Sequence, residues 1–348
     1  MAGANPRAIA LRAVLSLPSP VLRALSGGAA VYVGGRTLEA RFQFLAAHAR
    51  GSTQLSAQTP DEARSHSVRV SALLRRRPQT GVLREHLCVP GGDGPLKARV
   101  YRPRQVSPGA PLLVFAHGGG GVTGDLDTND SFCTLVAAVA GWPVVSVAYR
   151  LAPETRFPAG LNDVLAACRW ARDSAAAYGA AEGRIAVGGE SFGGNLAAGA
   201  CQAMRQRGEP QPALQLLLYP LLDAAGDQPS MTLYRQAWPL GAADVAWFMD
   251  QYMGRGDAPD DPRLSPLRQT DLAGLAPAVI ACAGFDPLLD QGEAYARRLR
   301  EAGVPVAFRC YESLAHGFAL FIDVIPAANA ATRQIALLAR DFLAEEKP

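Results

Sequence analysis

A serine between closely spaced glycines is the first candidate for chemistry in this chain of 348 residues. The segment Gly189-Glu-Ser-Phe-Gly193 matches the pattern GxSxG. It follows an apolar run typical of a buried strand and precedes a pattern typical of a helix. A strand-to-helix turn projects a serine hydroxyl above a sheet, and the turn is so crowded that small residues must flank it. We therefore predict that Ser191 is a nucleophile.

A run of glycines, His117-Gly-Gly-Gly-Gly121, is the second candidate element, and it follows the apolar run Leu112–Ala116. The N–H groups of a glycine run are unshielded, so several of them can point at one developing oxyanion. A phosphate-binding loop is the competing interpretation, but no GxGxxG motif opens a helix here and no Lys-Ser/Thr pair follows. We expect the N–H groups of Gly119, Gly120 and Phe192 to form an oxyanion hole.

A serine hydroxyl needs a base, and the base needs an orienting carboxylate. Of five histidines, only His117 and His316 have glycine-flanked, turn-like surroundings, and His117 belongs to the glycine loop. His316 follows a predicted strand, where open α/β sheets place their sites. Asp286 also follows a strand directly, whereas Asp290 lies at a helix start, where capping explains it. We predict a triad of Ser191, Asp286 and His316, in the chain order typical of α/β-hydrolases.

The elements that must position these residues alternate between strands and helices. After a predicted hairpin, Val82–Val89 with Leu96–Tyr101, short apolar runs alternate with helical patterns. Such an order predicts a mainly parallel sheet covered on both faces. The predicted strands are 112–116, 144–149, 184–188, 214–219, 278–283 and 306–311, and the predicted helices are 161–177, 194–207, 292–302 and 327–344.

Two regions fall outside this alternation. Residues 1 to about 75 show mostly helical patterns without strand alternation. Residues 228–256 lie between two predicted strands and carry Trp238, Trp247 and Phe248 in a helical pattern. We interpret the second region as an insertion that lies over the edge of the sheet. Its aromatic side chains either line a substrate funnel or bury the insertion against the sheet.

Composition excludes several other classes. Hydrophobic residues make up 49% and charged residues 19%, and the net charge is +3, so neither a disordered chain nor a nucleic-acid partner is expected. No two histidines stand at ligand spacing and no HExxH motif occurs, so we predict no zinc site. The predicted triad chemistry requires no metal and no cofactor. No apolar run reaches 18 residues, so we predict no membrane span. Arg7, Arg12 and Arg23 interrupt the N-terminal apolar run, and the cysteines lie in apolar runs, so we expect a cytoplasmic protein with free thiols.

With these motifs in this order, the chain from about residue 80 to 345 resembles the hormone-sensitive-lipase family of α/β-hydrolases, the bacterial family IV carboxylesterases. The matching segments are His117-Gly-Gly-Gly, Tyr149-Arg-Leu-Ala-Pro-Glu154, Ser191-Phe-Gly-Gly-Asn195, Asp261-Pro-Arg-Leu-Ser-Pro266, Gly284-Phe-Asp-Pro-Leu288 and His316-Gly-Phe318. The resemblance implies an α/β-hydrolase fold with an eight-stranded, mainly parallel sheet and a helical cap. The cap would comprise residues 1–55 and the insertion 220–256, and the core would comprise residues 56–219 and 257–348.

The chain departs from the family pattern beside the predicted oxyanion hole. Phe192 stands where the family usually has alanine, and Gly121 stands where it usually has an aromatic residue. We expect Gly121 to open space beside the loop and Phe192 to alter the shape of the acyl pocket. Gly121, Trp238 and Phe318 are our candidates for the substrate pocket.

The resemblance implies a serine carboxylesterase that hydrolyses short- to medium-chain esters through an acyl-enzyme. An amidase or a lactonase would use the same residues. A non-catalytic small-molecule binder on the same fold is the alternative from another class, although a binder has no need of a complete triad. The expected partner is a small-molecule ester, and the chain is expected to be a monomer or a homodimer joined through the edge strand near Val306–Tyr311.

Overall fold

The computed structural model describes residues 6–49, 53–75 and 81–345. Its centre is one eight-stranded sheet, in the order β10-β9-β8-β7-β5-β6-β4-β3. Strands β5 to β10 run parallel to one another, and β4 pairs antiparallel with β6 and with β3. The strands are β3 (Val82–Gly91), β4 (Gly94–Pro103), β5 (Leu112–Ala116), β6 (Val144–Val147), β7 (Ile185–Glu190), β8 (Leu214–Leu218), β9 (Ala278–Phe285) and β10 (Val306–Ala315). The predicted fold class is confirmed.

Helices cover both faces of the sheet. Every residue of β5, β6, β7, β8 and β9 is buried, as expected for strands with helices on each side. One pair of contacting helices is α5 with α11, and another is α6 with α7. The core helices are α5 (Asp130–Ala140), α6 (Ala159–Ser174), α7 (Phe192–Gln206), α10 (Leu289–Glu301) and α11 (Pro326–Glu345).

Two groups of elements lie outside this layered core. The N-terminal group has α1 (Pro6–Leu15), α2 (Ser19–Ala24), α3 (Ala40–Ala49), α4 (Pro60–Leu74) and a small hairpin, β1 (Tyr32–Val33) with β2 (Arg36–Thr37). The second group follows β8 and has α8 (Pro229–Leu233) and α9 (Ala242–Tyr252). Both groups border one cavity of about 1130 Å³. Helix α4, which the sequence analysis assigns to the core, also lines that cavity.

The structure adds elements to those expected from the sequence and moves some ends. The β1–β2 hairpin was not predicted, because each of its strands has two residues, too few to show an alternating pattern. Helix α5 was also not predicted, since its apolar residues cover most of its surface and leave no clear stripe. Strand β10 extends to Ala315, four residues beyond its predicted end. Its position at the edge of the sheet is as expected.

Candidate active site

Ser191 occupies a sharp turn between β7 and α7. Its φ is 53° and its ψ is −117°, a left-handed conformation that side chains rarely adopt. Its N–H donates to the carbonyl of Leu218 in β8 at 2.8 Å, and its own carbonyl accepts from the N–H of Leu221 at 3.1 Å. The surrounding backbone therefore holds the strained serine in place, as at many functional sites.

Glycines make this turn possible because the backbone passes within contact distance of other backbone. A Cβ at Gly189 would lie 2.2 Å from the carbonyl carbon of Gly193. A Cβ at Gly193 would lie 2.0 Å from the carbonyl oxygen of Ala116 at the end of β5. No larger residue fits at either position, and this steric limit explains why the GxSxG pattern requires glycine there.

The structure brings the three predicted triad residues together in one hydrogen-bonded chain. His316 Nε2 lies 3.0 Å from Ser191 Oγ, and His316 Nδ1 lies 2.7 Å from Asp286 Oδ2. Asp286 is fully buried and His316 is 7% exposed. Since a carboxylate only accepts, Nδ1 carries the proton and Nε2 is free to accept one from the serine.

The orienting carboxylate is itself oriented by the backbone. Asp286 Oδ1 accepts a hydrogen bond from the N–H of Leu288 at 2.8 Å, which leaves Oδ2 directed at the imidazole. The competing residue, Asp290, is turned elsewhere, and its carboxylate accepts from the N–H of Ser230 in α8 at 2.7 Å. Our expectation that Asp290 caps its own helix was wrong, because it holds a neighbouring helix instead.

The glycine loop has the backbone conformation that the predicted oxyanion hole requires. Gly119, Gly120 and Gly121 have φ values of 104°, 63° and 74°, which favour glycine. Within the described part of the chain, the N–H groups of Gly119 and Gly120 have no hydrogen-bond acceptor. These donors are therefore available to a ligand. The N–H of Phe192 starts α7, at the helix end that attracts negative charge.

His117 does not take part in the hydrogen-bonded chain. Its Nδ1–H donates to the carbonyl of Gly118 at 2.7 Å, and its ring stacks on Tyr149 with centroids 4.4 Å apart. Burial lowers the pKa of this imidazole, so it stays neutral. Its role is to shape the loop, as expected from the sequence.

A buried polar network that the sequence analysis did not find lies behind the serine. Glu190 accepts from the hydroxyl of Tyr219, and the same hydroxyl accepts from the N–H of Ala319 at 3.2 Å. Tyr219 also packs edge-on against the ring of His316, with centroids 4.9 Å apart. Burial raises the pKa of Glu190, and the bond from Tyr219 opposes that rise.

The serine and the histidine lie at the wall of a cavity of about 1130 Å³. Its wall includes Gly119, Gly120, Trp238 and Phe248, and most of it is apolar. Trp238 also packs edge-on against Phe321, so it both lines the cavity and buries the insertion. Among the residues that the structure describes, no cluster of His, Cys, Asp and Glu is suited to hold a metal ion.

Two residues that we predicted for the pocket lie away from its wall. Phe318 is fully buried between the rings of Tyr219 and Tyr311. Gly121 is packed over by Phe192 and Tyr252, because a Cβ there would lie 2.8 Å and 2.6 Å from their rings. The expected open space beside Gly121 is therefore filled, and we no longer assign either residue to the pocket.

Comparison with known proteins identifies the family of this fold. A family model described as the alpha/beta hydrolase fold matches residues 113–320. The carboxylic ester hydrolase LipN of Mycobacterium tuberculosis is 42% identical over 94% of this chain and 89% of its own length. The ethyl acetate hydrolase of Pseudomonas putida is 40% identical over 77% of this chain and 86% of its own length. The esterase of Pyrobaculum calidifontis superposes with a TM-score of 0.80 at 35% identity, over 86% of this chain and 97% of that one. This chain belongs to the α/β-hydrolases, in the hormone-sensitive-lipase family of carboxylesterases.

Proposed function

We propose that the protein is a serine carboxylesterase that hydrolyses short- to medium-chain esters through an acyl-enzyme. The observation that carries this proposal is the hydrogen-bonded chain from Asp286 through His316 to Ser191, which ends at the wall of an apolar cavity. A buried base oriented by a buried carboxylate is what activates a serine hydroxyl.

The reaction begins when Ser191 Oγ attacks the ester carbonyl carbon. His316 Nε2 takes the hydroxyl proton, and Asp286 stabilises the resulting imidazolium through Nδ1–H. The tetrahedral intermediate collapses when His316 gives this proton to the departing alcohol, which leaves an acyl-serine. A water molecule then attacks the acyl carbon while His316 takes its proton. The acyl–Oγ bond breaks as His316 returns that proton to Ser191 Oγ, which releases the acid and restores the serine hydroxyl.

The negative charge of each tetrahedral intermediate lies on the former carbonyl oxygen. The N–H groups of Gly119, Gly120 and Phe192 stabilise that charge. Two observations support this role: the first two N–H groups have no acceptor among the described residues, and Phe192 starts a helix. Such donors act most strongly when they are fixed before the charge develops.

The size and lining of the cavity support an apolar ester of small to medium size. A wall that is mostly apolar favours the acyl chain over a charged group. The cavity is bordered by the N-terminal helices and the α8–α9 insertion, which we propose to act as a cap over the site. The name of one relative, ethyl acetate hydrolase, includes a short ester and is consistent with this substrate class.

The test is hydrolysis of p-nitrophenyl esters from acetate to palmitate by the wild type and by Ser191→Ala. We expect activity to be highest with the shorter chains and kcat to fall by at least about 10³-fold in the variant. Ser174→Ala, at the end of α6, is the matched control and keeps the wild-type rate. Retention of more than about a tenth of the rate by Ser191→Ala would refute the proposed nucleophile.

Location and assembly are part of the same proposal. No helix in the described ranges is both long and apolar enough to cross a bilayer. We infer a cytoplasmic protein, and the free thiols at all six cysteines, each within the described residues, support this inference. We also propose a monomer or a homodimer that pairs through the outer edge of β10, where residues 306–311 are at least partly exposed.

A further inference from the structure

Helix α9 of the insertion contacts the glycine loop through two side chains one turn apart. A Cβ at Gly120 would lie 2.1 Å from the ring of Phe248, so this ring packs directly on the loop backbone. A Cβ at Gly121 would lie 2.6 Å from the ring of Tyr252. Residues four apart share one face of a helix, so α9 presents a continuous aromatic surface to the loop.

Phe192 connects this aromatic surface to the turn that carries the serine. Its ring packs edge-on against Tyr252 with centroids 4.5 Å apart, and it also reaches the position of a Cβ at Gly121. All three rings are buried, with Phe192 fully so. The rings of Phe192 and Tyr252 therefore fill the space beside position 121, where the family usually has an aromatic side chain.

A loop of glycines depends on packing contacts to hold its backbone in one conformation. Glycine samples more backbone conformations than any other residue, so three successive glycines have a high entropic cost of ordering. Two loop carbonyls are already held, since Gly119 O accepts from the N–H groups of Val122 and Thr123, which follow the glycines directly, and Gly121 O accepts from that of Ala152 in another segment. The rings of Phe248 and Tyr252 restrict the remaining backbone freedom of the loop. This restriction determines the direction of its N–H groups.

We propose that Phe248 and Tyr252 are positioning residues that fix the oxyanion loop, so the insertion contributes to transition-state stabilisation in addition to enclosing the cavity. This inference rests on the proposed esterase function. Phe248 also lines the cavity, so its removal can change substrate binding as well. The test must therefore separate stabilisation of the oxyanion from simple occupancy of the cavity.

A trifluoromethyl ketone and the matching methyl ketone provide that separation. Ser191 Oγ adds to the carbonyl carbon of the fluorinated ketone, the serine proton passes to His316, and the carbonyl oxygen becomes an oxyanion. The methyl ketone has the same shape and binds without forming this adduct. The ratio of their two inhibition constants therefore reports on the adduct and its oxyanion separately from occupancy of the cavity, and we expect Phe248→Ala to reduce it by at least about tenfold.

Two comparisons distinguish positioning from loss of packing. Met249→Ala removes a buried side chain of similar size from the same helix, and it should change the ratio by less than about threefold. Tyr252→Ala should reduce the ratio as Phe248→Ala does. Tyr252→Phe should restore it, because the tyrosine hydroxyl is buried without a hydrogen-bond partner in the described part of the chain and only the ring is required.

The proposal is overturned if Phe248→Ala keeps the wild-type ratio while the wild type itself hydrolyses esters, or if Met249→Ala reduces the ratio equally. A wild type that neither hydrolyses esters nor binds the fluorinated ketone more tightly would instead contradict the esterase function. If Phe248→Ala does not fold, Phe248→Leu takes its place and must show a reduced ratio with its thermal midpoint retained. An unchanged ratio in that folded variant also overturns the proposal.

Discussion

Replacement of Asp286 by asparagine tests the direction of every hydrogen bond in the triad. Leu288 N–H donates to Asp286 Oδ1, so the amide oxygen of Asp286→Asn must take that position. The amide NH₂ group then takes the place of Oδ2, which lies 2.7 Å from His316 Nδ1 in the wild type. Because this group only donates, Nδ1 must become an acceptor and the proton moves to Nε2. The histidine can then no longer accept the proton of Ser191.

The loss of kcat follows from the wrong histidine tautomer and from the removal of a buried negative charge. A triad with this substitution is expected to lose about 10⁴-fold in kcat. Four factors of ten correspond to about 5.4 kcal/mol of activation free energy. The assay is kcat for p-nitrophenyl butyrate from neutral to alkaline pH, with the thermal midpoint measured in parallel to show that the variant is folded.

Asp290→Asn is the matched control, four residues away on the same segment. Asp290 accepts one hydrogen bond, from Ser230 N–H, and an asparagine oxygen can accept it equally well. We expect kcat to stay within about threefold of the wild type, since this carboxylate does not contact the imidazole. If folded Asp286→Asn kept more than about a tenth of its activity, or if Asp290→Asn lost as much, the assigned orienting residue would be wrong.

Two further predictions concern stability. Arg64 donates to the carbonyls of Val122 and Ala152 at 2.9 and 2.8 Å and pairs with Glu154, so Arg64→Ala should lower the free energy of unfolding in urea by about 1–2 kcal/mol. Arg64 lowers the pKa of Glu154 from 4.5 to about 2, so the ion pair stabilises the fold above pH 4.5 and is lost as the pH falls towards 2. The difference in unfolding free energy between wild type and Arg64→Ala should therefore shrink over this range. A constant difference would exclude the ion pair as its source. Glu190→Ala should lower the free energy of unfolding by about 1–3 kcal/mol, because it leaves the buried hydroxyl of Tyr219 without its acceptor. Glu190→Gln keeps an acceptor, so it should lower this free energy clearly less in the same urea titration. Equal costs for the two variants would show that this hydrogen bond is not the stabilising contact.

Sequence patterns predicted the parts of the fold in which one local requirement dominates. The crowded turn at Ser191 admits only small neighbours, so its glycines are visible in the sequence. Central strands are buried on both faces and therefore appear as continuous apolar runs. Position after a predicted strand then indicated the histidine and the aspartate, and the structure joins both to the serine in one hydrogen-bonded chain.

Contacts between distant segments could not be predicted in the same way. Position 121 is a glycine, and nothing in its neighbourhood in sequence shows that Phe192 and Tyr252 occupy the space beside it. Phe318 lies two residues after the histidine, yet its ring turns into the core between two tyrosines. Which way a side chain turns depends on packing among elements that are far apart in the chain, and no local pattern records it.

The three loops of the site are held from opposite sides by contacts of different kinds. On the core side, the hydroxyl of Tyr219 joins Glu190, next to the serine, to Ala319, just beyond the histidine. Loss of that hydroxyl would disturb nucleophile and base together, because one atom holds both loops. On the side of the insertion, the ring of Phe248 packs on Gly120 of the glycine loop. Substitution of Phe248 should therefore affect the oxyanion while proton transfer between His316 and Ser191 stays intact, so the two halves of catalysis can be separated by mutation in this fold.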